Sequence, residues 1–577
     1  MRLYRMMTVE PEHMCVYAGK LLETPRRSPG RIRMRMRVQC ELAFVWLAVL
    51  SIVLVACDVS ARTYHVDPAK GSDSFSGSET EPFKTVRRVS EILQPGDTAV
   101  LHEGVYHEQV MGGQSGREGS PITYVGTDRE KVIFQGSVLV KDWKRVDNVW
   151  VKQGLRPITP TNCFVMIDEK HLLKKADSAF KLQEGSYHLD RSGTYTIRLV
   201  NDADPNRDHT VEVYELDFAF NAGNRWGGTA KNWIVLRNLT FQKYGTYAIS
   251  GDLKHAGDSS HWELDGLTVR LNHSVGVFAC LDDWFVHDCS FMRNGSHGCQ
   301  IDGARVRFLN NVSAENEWFG PTGDGGCGVI IGPDASGNSC IVRENRLADN
   351  GDPLGYGCGV YLEGRSHGNV IDNNTITGNT HAGLGCYGSS FNLIVNNVLV
   401  DIAPTCDWEI AAAFVVGHSY EGEATQSAGN LVAYNTVWGC PAGVAALPPT
   451  DRIEEGKRNR FINNVFARYR FLSPLPAKAE LCMEANAWFP ADSGDHVSAL
   501  RRWLKPLGDD SEKAAGNVTG KDPGFRDPTK GNFRPHAHSP LIHAGVEIAD
   551  ITRDRDGHGR PCGHRPTIGA YEFCDEN

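Results

Sequence analysis

One nine-residue segment recurs nine times between residues 233 and 466, and it constrains the fold more than any other feature. It reads WIVLRNLTF (233–241), HWELDGLTV (261–269), DWFVHDCSF (283–291), RVRFLNNVS (305–313), SCIVRENRL (339–347), GNVIDNNTI (368–376), FNLIVNNVL (391–399), GNLVAYNTV (429–437) and RNRFINNVF (458–466). In the last six the seventh position is always asparagine: Asn311, Asn345, Asn374, Asn397, Asn435 and Asn464. In the first three it is Leu239, Leu267 and Cys289. The segments recur every 22 to 38 residues, with the variation falling in the connecting loops, and such recurrence marks a repeat architecture in which each unit buries its apolar face only against its neighbours.

A second motif lies between these segments: a glycine followed by alternating residues. It reads GVFAC (276–280), GCQID (298–302), GVIIG (328–332), GVYLE (359–363), GLGCY (383–387) and GVAAL (443–447), with AFVVG (413–417) in the same place. Alternation predicts strands with one buried face. The inward set is Val277, Cys299, Val329, Val360, Leu384, Phe414 and Val444, then Ala279, Ile301, Ile331, Leu362, Cys386, Val416 and Ala446. Two or three short strands per turn, repeated along an axis, describe an all-β parallel β-helix. Asparagine suits the column for two reasons. It tolerates the left-handed conformation at a sharp bend, and stacked amides hydrogen-bond from coil to coil. Leucine-rich repeats lack this spacing, and propeller blades need about 40–45 residues per repeat.

The chain has 60 glycines in 577 residues, in keeping with many tight turns, and a formal net charge of −10. That balance excludes a dedicated nucleic-acid binder, which carries a basic footprint. Residues 42–56 (LAFVWLAVLSIVLVA) are uncharged and preceded by Arg26, Arg27, Arg31, Arg33, Arg35 and Arg37. A spanning helix needs about 20 residues, so this run reads as the core of an export signal. Cleavage after Ala61, or before Cys57 with a lipid anchor on that cysteine, would place the protein in the periplasm, outside the cell or on its surface. Met34 and Met36 are alternative starts that would shorten the leader. Of 16 cysteines, 13 follow residue 61. Those inside the repeat read as small buried hydrophobes, and an odd count leaves at least one unpaired.

The expected organisation is a targeting segment (1–61), an N-terminal cap with the first coils (62–133), an inserted β-rich subdomain (134–216), the main coils (217–475), and a C-terminal helix with a closing segment (476–577). Residues 83–93 predict a short amphipathic helix stopped by Gln94-Pro95-Gly96-Asp97, and residues 495–505 a second helix. The chain is expected to be a monomer.

Three stretches resemble the pectin-lyase-like, right-handed parallel β-helix superfamily, in its branch of exported bacterial repeat proteins. They are residues 64–68 with 71–108, the asparagine-bearing repeat, and residues 522–573. The resemblance implies a capping helix on the first coil and a substrate groove across the outer residues of one sheet. It does not carry an activity across residue by residue. The pectin hydrolases carry Asn-Thr-Asp, Asp-Asp and Gly-His-Gly in successive coils, and here only Asp282-Asp283 is present. The acidic pair that calcium-dependent pectate lyases place before a glycine-led strand is absent from residues 294–298.

The groove's chemistry therefore has to be read from the residues. Outward positions of the glycine-led strands carry Phe278, Gln300, Asp302, Tyr361, Glu363 and Tyr387. Asp302 and Glu363 fall in one column two coils apart, with Gly332 between. Coils ~4.8 Å apart put their backbones ~9–10 Å apart, near the ~6.5–9.5 Å carboxyl separation of inverting glycosidases. His297 and His381 sit before two of these strands, in equivalent positions. An elimination would instead need a base, with Tyr361 or Tyr387 as acid or base, and a cation to stabilise the enolate. Lys254 and Arg365 are the basic candidates. The sequence specifies no cofactor, and Ca²⁺ is the metal that elimination would admit. Asp324, Gln300, Trp318, Trp408 and His418 are candidate substrate contacts. Asp554-Arg555-Asp556-Gly557 matches part of a calcium loop but lacks the later glutamate, and reads as a turn.

Two functions fit. One is an exported carbohydrate-active enzyme degrading a polysaccharide, as a lyase or a glycoside hydrolase. The other is a non-catalytic surface β-helix that binds glycans or a partner. Acids and histidines converging in one cleft favour the enzyme; a flat, uniformly polar face favours the binder.

Overall fold

The computed structural model describes residues 61–155, 164–222, 231–250, 261–319, 325–333, 337–352, 356–364, 366–402, 411–417, 427–447, 458–473, 475, 481–491, 496–505 and 516–574. Within them the chain winds through three parallel sheets. The first runs from Thr63–Val66 to Leu481–Glu484 and the second from Gly104–Tyr106 to Val518–Thr519, each with 13 described strands. The third has nine, from Phe220–Asn221 to Val444–Ala446. One coil takes the order first, second, third sheet, as in Phe285–His287, Ser290–Met292 and Cys299–Ile301. This is a right-handed parallel β-helix.

Strands of three residues cannot stand alone; they hold because each coil covers its neighbours. The inward residues of the glycine-led strands, Val277 through Val444 and Ala279 through Val416, join one continuous core, with Ala446 packed at its margin. Trp262 and Trp284 stack inside it with ring centroids 5.2 Å apart. The fully apolar interior is what buried parallel sheets require.

The asparagine column is a ladder. Asn345 Nδ2 donates to Asn374 Oδ1 (2.9 Å), and the pattern repeats through Asn397, Asn435, Asn464 and Asn486. The left-handed residue at this bend is not the ladder asparagine but the one before it: Asn238, Asp288, Asn310, Glu344, Asn373, Asn396, Tyr434 and Asn463 all have φ between 52° and 60°. The two roles sit on adjacent residues because the ladder side chain must point inward while its predecessor turns the chain. Two further ladders mark the other corners. Asn272, Asn294, Asn316, Asn350 and Asn379 form one. Asn369, Asn392, Asn430 and Asn459 form the other.

At the amino end, Thr85 caps a helix over Val86–Ser90, and Val86 and Val89 close the core of the first coil. Asp97 stops the chain after it by accepting from Gln94 N–H. Strands from Ser137–Leu139 to Val211–Tyr214 pair in two sheets, antiparallel except where Lys174–Lys175 runs parallel to Ser186–Leu189, around a separate core of Trp143, Trp150, Tyr187, Tyr195 and Ile197. This insertion is pinned to the coils by Lys243, which is 3% exposed and paired with Glu169 and Glu212. Tyr214 adds a hydrogen bond to Leu271 O (2.7 Å). A helix follows at His496–Leu504. The tail then lies along the coil corners. Arg555 donates to Asn374 O and Asn396 O, and Asn396 Nδ2 donates to Arg553 O. A disulfide joins Cys562 and Cys574. No helix among the described residues is long and apolar enough to cross a membrane.

Candidate active site

The outer face of the third sheet is not uniformly polar. Cys327, Ile330, Cys358, Tyr361, Ala382, Tyr387, Val415 and Leu447 form an apolar cluster there, apart from the inner core, with Tyr356 packed on it. Polar groups are set into its margins. Gln300, Asp302 and Glu363 are each 8% exposed or less. They are not solvated strand residues but buried ones, and burial without a hydrogen bond is costly.

Register fixes the carboxyl pair. Ile301 pairs with Ile331 and Ile331 with Leu362, so Asp302, Gly332 and Glu363 follow in one column. Asp302 Oδ2 accepts from Gln300 Nε2 at 2.8 Å, which aims the carboxylate along the sheet. Gly332, at φ 85°, stands between the two acids and carries no side chain.

Next to Glu363 lies an aromatic bed. Glu363 pairs with Tyr387 on the following coil. The rings of Tyr361 and Tyr387 stack at 4.7 Å and 18°. Gly385 permits this, because a Cβ there would lie 2.3 Å from Tyr387 Cε2. Tyr387 Oη hydrogen-bonds His381 Nε2 at 3.2 Å, and Tyr356 stacks on the His381 ring at 4.1 Å. Burial pulls His381 down to about 4, so it is neutral at neutral pH. Burial, then the charge of Glu363, pushes the Tyr361 phenol far up. Tyr361 therefore stays a hydrogen-bond donor rather than a base. The site thus combines two carboxyl groups, a neutral imidazole and phenols held protonated, next to a dry apolar wall.

His297 and His381 are not in equivalent positions. Cys358 pairs with Ala382, and Gly298 N donates to Cys327 O. His297 therefore aligns with Cys327, Cys358 and Ala382, and His381 sits one residue earlier. His297 directly precedes its glycine, Gly298, whereas Ala382 stands between His381 and Gly383. His297 Nδ1 accepts the Cys327 backbone N–H at 3.1 Å. Trp318 lies elsewhere: it packs against Met166, Tyr214 and Leu271 where the insertion meets the coils, with the Arg293 guanidinium 4.5 Å over its ring. Lys254, Arg365, Asp324, Trp408 and His418 lie outside the described residues.

The sequence reading passed over Cys327 and Cys358. Their signal is a repeated tetrapeptide, Gly-Cys-Gly-Val, at 326–329 and 357–360. Among the described residues, two side-chain groups have metal-like proximity. Glu263, Asp265 and His287 lie together on the outer first sheet, but Arg237 already pairs with both carboxylates. Asp554, Asp556 and His558 form the second. There Asp554 accepts from the backbone N–H groups of Asp556, His558 and Glu572, and Arg534 pairs with Asp556, so the segment is a turn.

Comparison with known proteins agrees with this architecture. The family described as right handed beta helix region matches residues 275–466. The structure of XylC in complex with xylose superposes with a TM-score of 0.61 at 15% identity, covering 89% of this chain and 98% of that one. The pectate lyase Pel9A gives a TM-score of 0.44 at 15% identity, covering 89% and 97%. The uncharacterized protein YwoF of Bacillus subtilis (strain 168) is 38% identical over 72 residues, which is 12% of this chain and 15% of that relative. At these identities the structural likeness speaks for the fold alone, and with the repeat, the ladders and the three sheets it identifies that fold as a right-handed parallel β-helix.

Proposed function

We propose that this protein is an exported carbohydrate-active enzyme that hydrolyses glycosidic bonds on the outer face of its third sheet. The observation that carries the reading is the Asp302–Gly332–Glu363 column: two buried carboxyl groups, two coils apart, with a side-chain-free step between them. At ~4.8 Å per coil the backbones are ~9.6 Å apart, which suits a sugar and a water lodged between two carboxyl groups. One acid protonates the leaving oxygen and the other activates the water. Tyr361, Tyr387 and the neutral His381 supply an apolar wall and hydrogen-bond partners beside the cleavage point. XylC, seen with xylose, shows that a chain of this shape holds a sugar.

Elimination is the second reading, favoured by the His381–Tyr387 contact, which sets a neutral base beside a phenol. The two chemistries leave different products. The purified protein is incubated with a panel of neutral and uronate-containing glycans, with and without Ca²⁺ and a chelator. Reducing ends without absorbance near 235 nm, abolished in Asp302→Asn and Glu363→Gln, support hydrolysis. New absorbance near 235 nm replaces it with elimination. Silence in both channels, with glycan binding retained, returns the protein to the class of non-catalytic surface binders.

A further inference from the structure

Nine described cysteines stand outside the disulfide; Cys280 joins the inner core, Cys482 is partly exposed, and the other seven fall into two environments. Cys289, Cys299, Cys340, Cys386 and Cys440 face the inner core. Burial pushes the Cys289, Cys340, Cys386 and Cys440 thiols up to about 12. Such thiols are inert packing groups. Cys327 and Cys358 belong instead to the outer cluster. They occupy one column on adjacent coils, since Gly328 N donates to Cys358 O at 2.9 Å and Val329 pairs with Val360. Their thiols are near enough for each to shift the other's titration. His297 is the preceding member of the same column, bonded to the Cys327 backbone and near enough to favour its thiolate. Burial raises the Cys327 thiol, but Cys358 and His297 outweigh it and draw Cys327 down to about 5.

From this juxtaposition of Cys327, Cys358 and His297 we propose a thiol-modification site in which the two cysteines close a coil-to-coil disulfide by exchange with a small-molecule disulfide. Adjacent strands lie ~4.8 Å apart, inside the roughly 4.4–6.8 Å Cα range of disulfides. The repeated Gly-Cys-Gly-Val places each cysteine between glycines, whose lack of a side chain lets the neighbouring coils pack closely around both thiols. In the first step the Cys327 thiolate attacks one sulfur of the small disulfide. That S–S bond breaks, a mixed disulfide forms, and the departing thiolate takes up a proton. In the second step Cys358 loses its proton and attacks the Cys327 sulfur, expelling the second small thiol. Two protein thiols are oxidised and one small disulfide is reduced to two thiols. The nucleophile is the cysteine with the lowered thiol, as exchange requires.

Peptide mapping in glutathione buffers tests this. Full-length protein is equilibrated over a series of oxidised-to-reduced glutathione ratios in two arms. One arm keeps the native protein; the other reduces it in denaturant and refolds it, so that burial does not limit access. After acid quench, alkylation and digestion, mass spectrometry reads each cysteine, with the Cys562–Cys574 peptide as internal reference. The expected result is a Cys327–Cys358 linked peptide that passes from minority to majority as the ratio becomes oxidising, while Cys289, Cys340 and Cys386 remain alkylated. A Cys358→Ser variant should trap one glutathione on Cys327. The proposal is overturned if Cys327 and Cys358 are recovered alkylated at every ratio in both arms, if either is linked to another cysteine, or if wild-type Cys327 stops at the glutathione adduct.

Discussion

Burial depresses His381 and His273 to about 4, with His273 stacked on Phe164 at 3.3 Å. In the unfolded chain both titrate near ~6.5. Between pH ~6.5 and 4 the unfolded state therefore binds more protons than the folded one, and stability falls as the solution is acidified through that window. Each histidine contributes on the order of 3 kcal/mol to the drop. Urea midpoints at pH 7 and pH 4.5 check this, and His381→Asn should flatten the dependence. At the same site, Glu363→Gln and Asp302→Asn should each lower kcat by about 10²-fold or more, with the thermal midpoint little changed. Gly385→Ala should act through packing instead. The new methyl collides with the Tyr387 ring, and overpacking of this kind costs about 1–3 kcal/mol. The accompanying loss of activity should follow displacement of Tyr387 and be visible in the unfolding midpoint.

The corner between the first and second sheets is built from two adjacent residues with different jobs. Asn374 accepts from Asn345 N–H and Nδ2 and donates to Val342 O and Asn397 Oδ1. Replacing it with leucine strands several buried groups, at about 1–3 kcal/mol each. Asn373, at φ 60°, only turns the chain and touches the tail. Asn373→Gly should therefore be nearly neutral, and Asn374→Leu should lower the urea midpoint far more. The seventh-position asparagines and the alternating strands were legible in sequence because each coil repeats the same physical demand. The other two ladders were equally present, five residues after and five residues before the first, as in Asn379 and Asn369 around Asn374. The earlier of the two occupies the second position of the last four segments (Asn369, Asn392, Asn430 and Asn459), where the first five segments carry other residues; the later one falls three residues past its segments (Asn272, Asn294, Asn316, Asn350 and Asn379), at the start of loops of varying length.

Over the whole molecule, the coils have ends and corners that must be covered, since a β-helix otherwise presents open edges and unpaired corner carbonyls. The amino-terminal helix closes one end, and the tail covers a line of corners through Arg555, Asn373 and Asn396. Burial lowers the Arg555 guanidinium, yet its hydrogen bonds keep it charged against three acceptors, Asn374 O, Asn396 O and Thr375 Oγ1. Arg555→Ala should release the tail before the coils melt. Limited proteolysis would then show early cleavage between residues 522 and 573 while the coil fragment survives intact.

The sequence by itself determined that this chain winds as a parallel β-helix, which residues face its interior, and where its corners fall. Those properties repeat every coil and are written as periodic chemistry: alternation for the strands, asparagine for the ladder. Only the tertiary structure decided what the outer face of the third sheet became. It brought Tyr356, Tyr361, Tyr387 and His381 into one buried bed, set His297 in register with two cysteines rather than with His381, and assigned Trp318 to the seam with the insertion. The reason is that these contacts join single positions on different coils. A one-residue difference in position, such as that between His297 and His381, gives a side chain a different neighbour without disturbing the repeat that surrounds it.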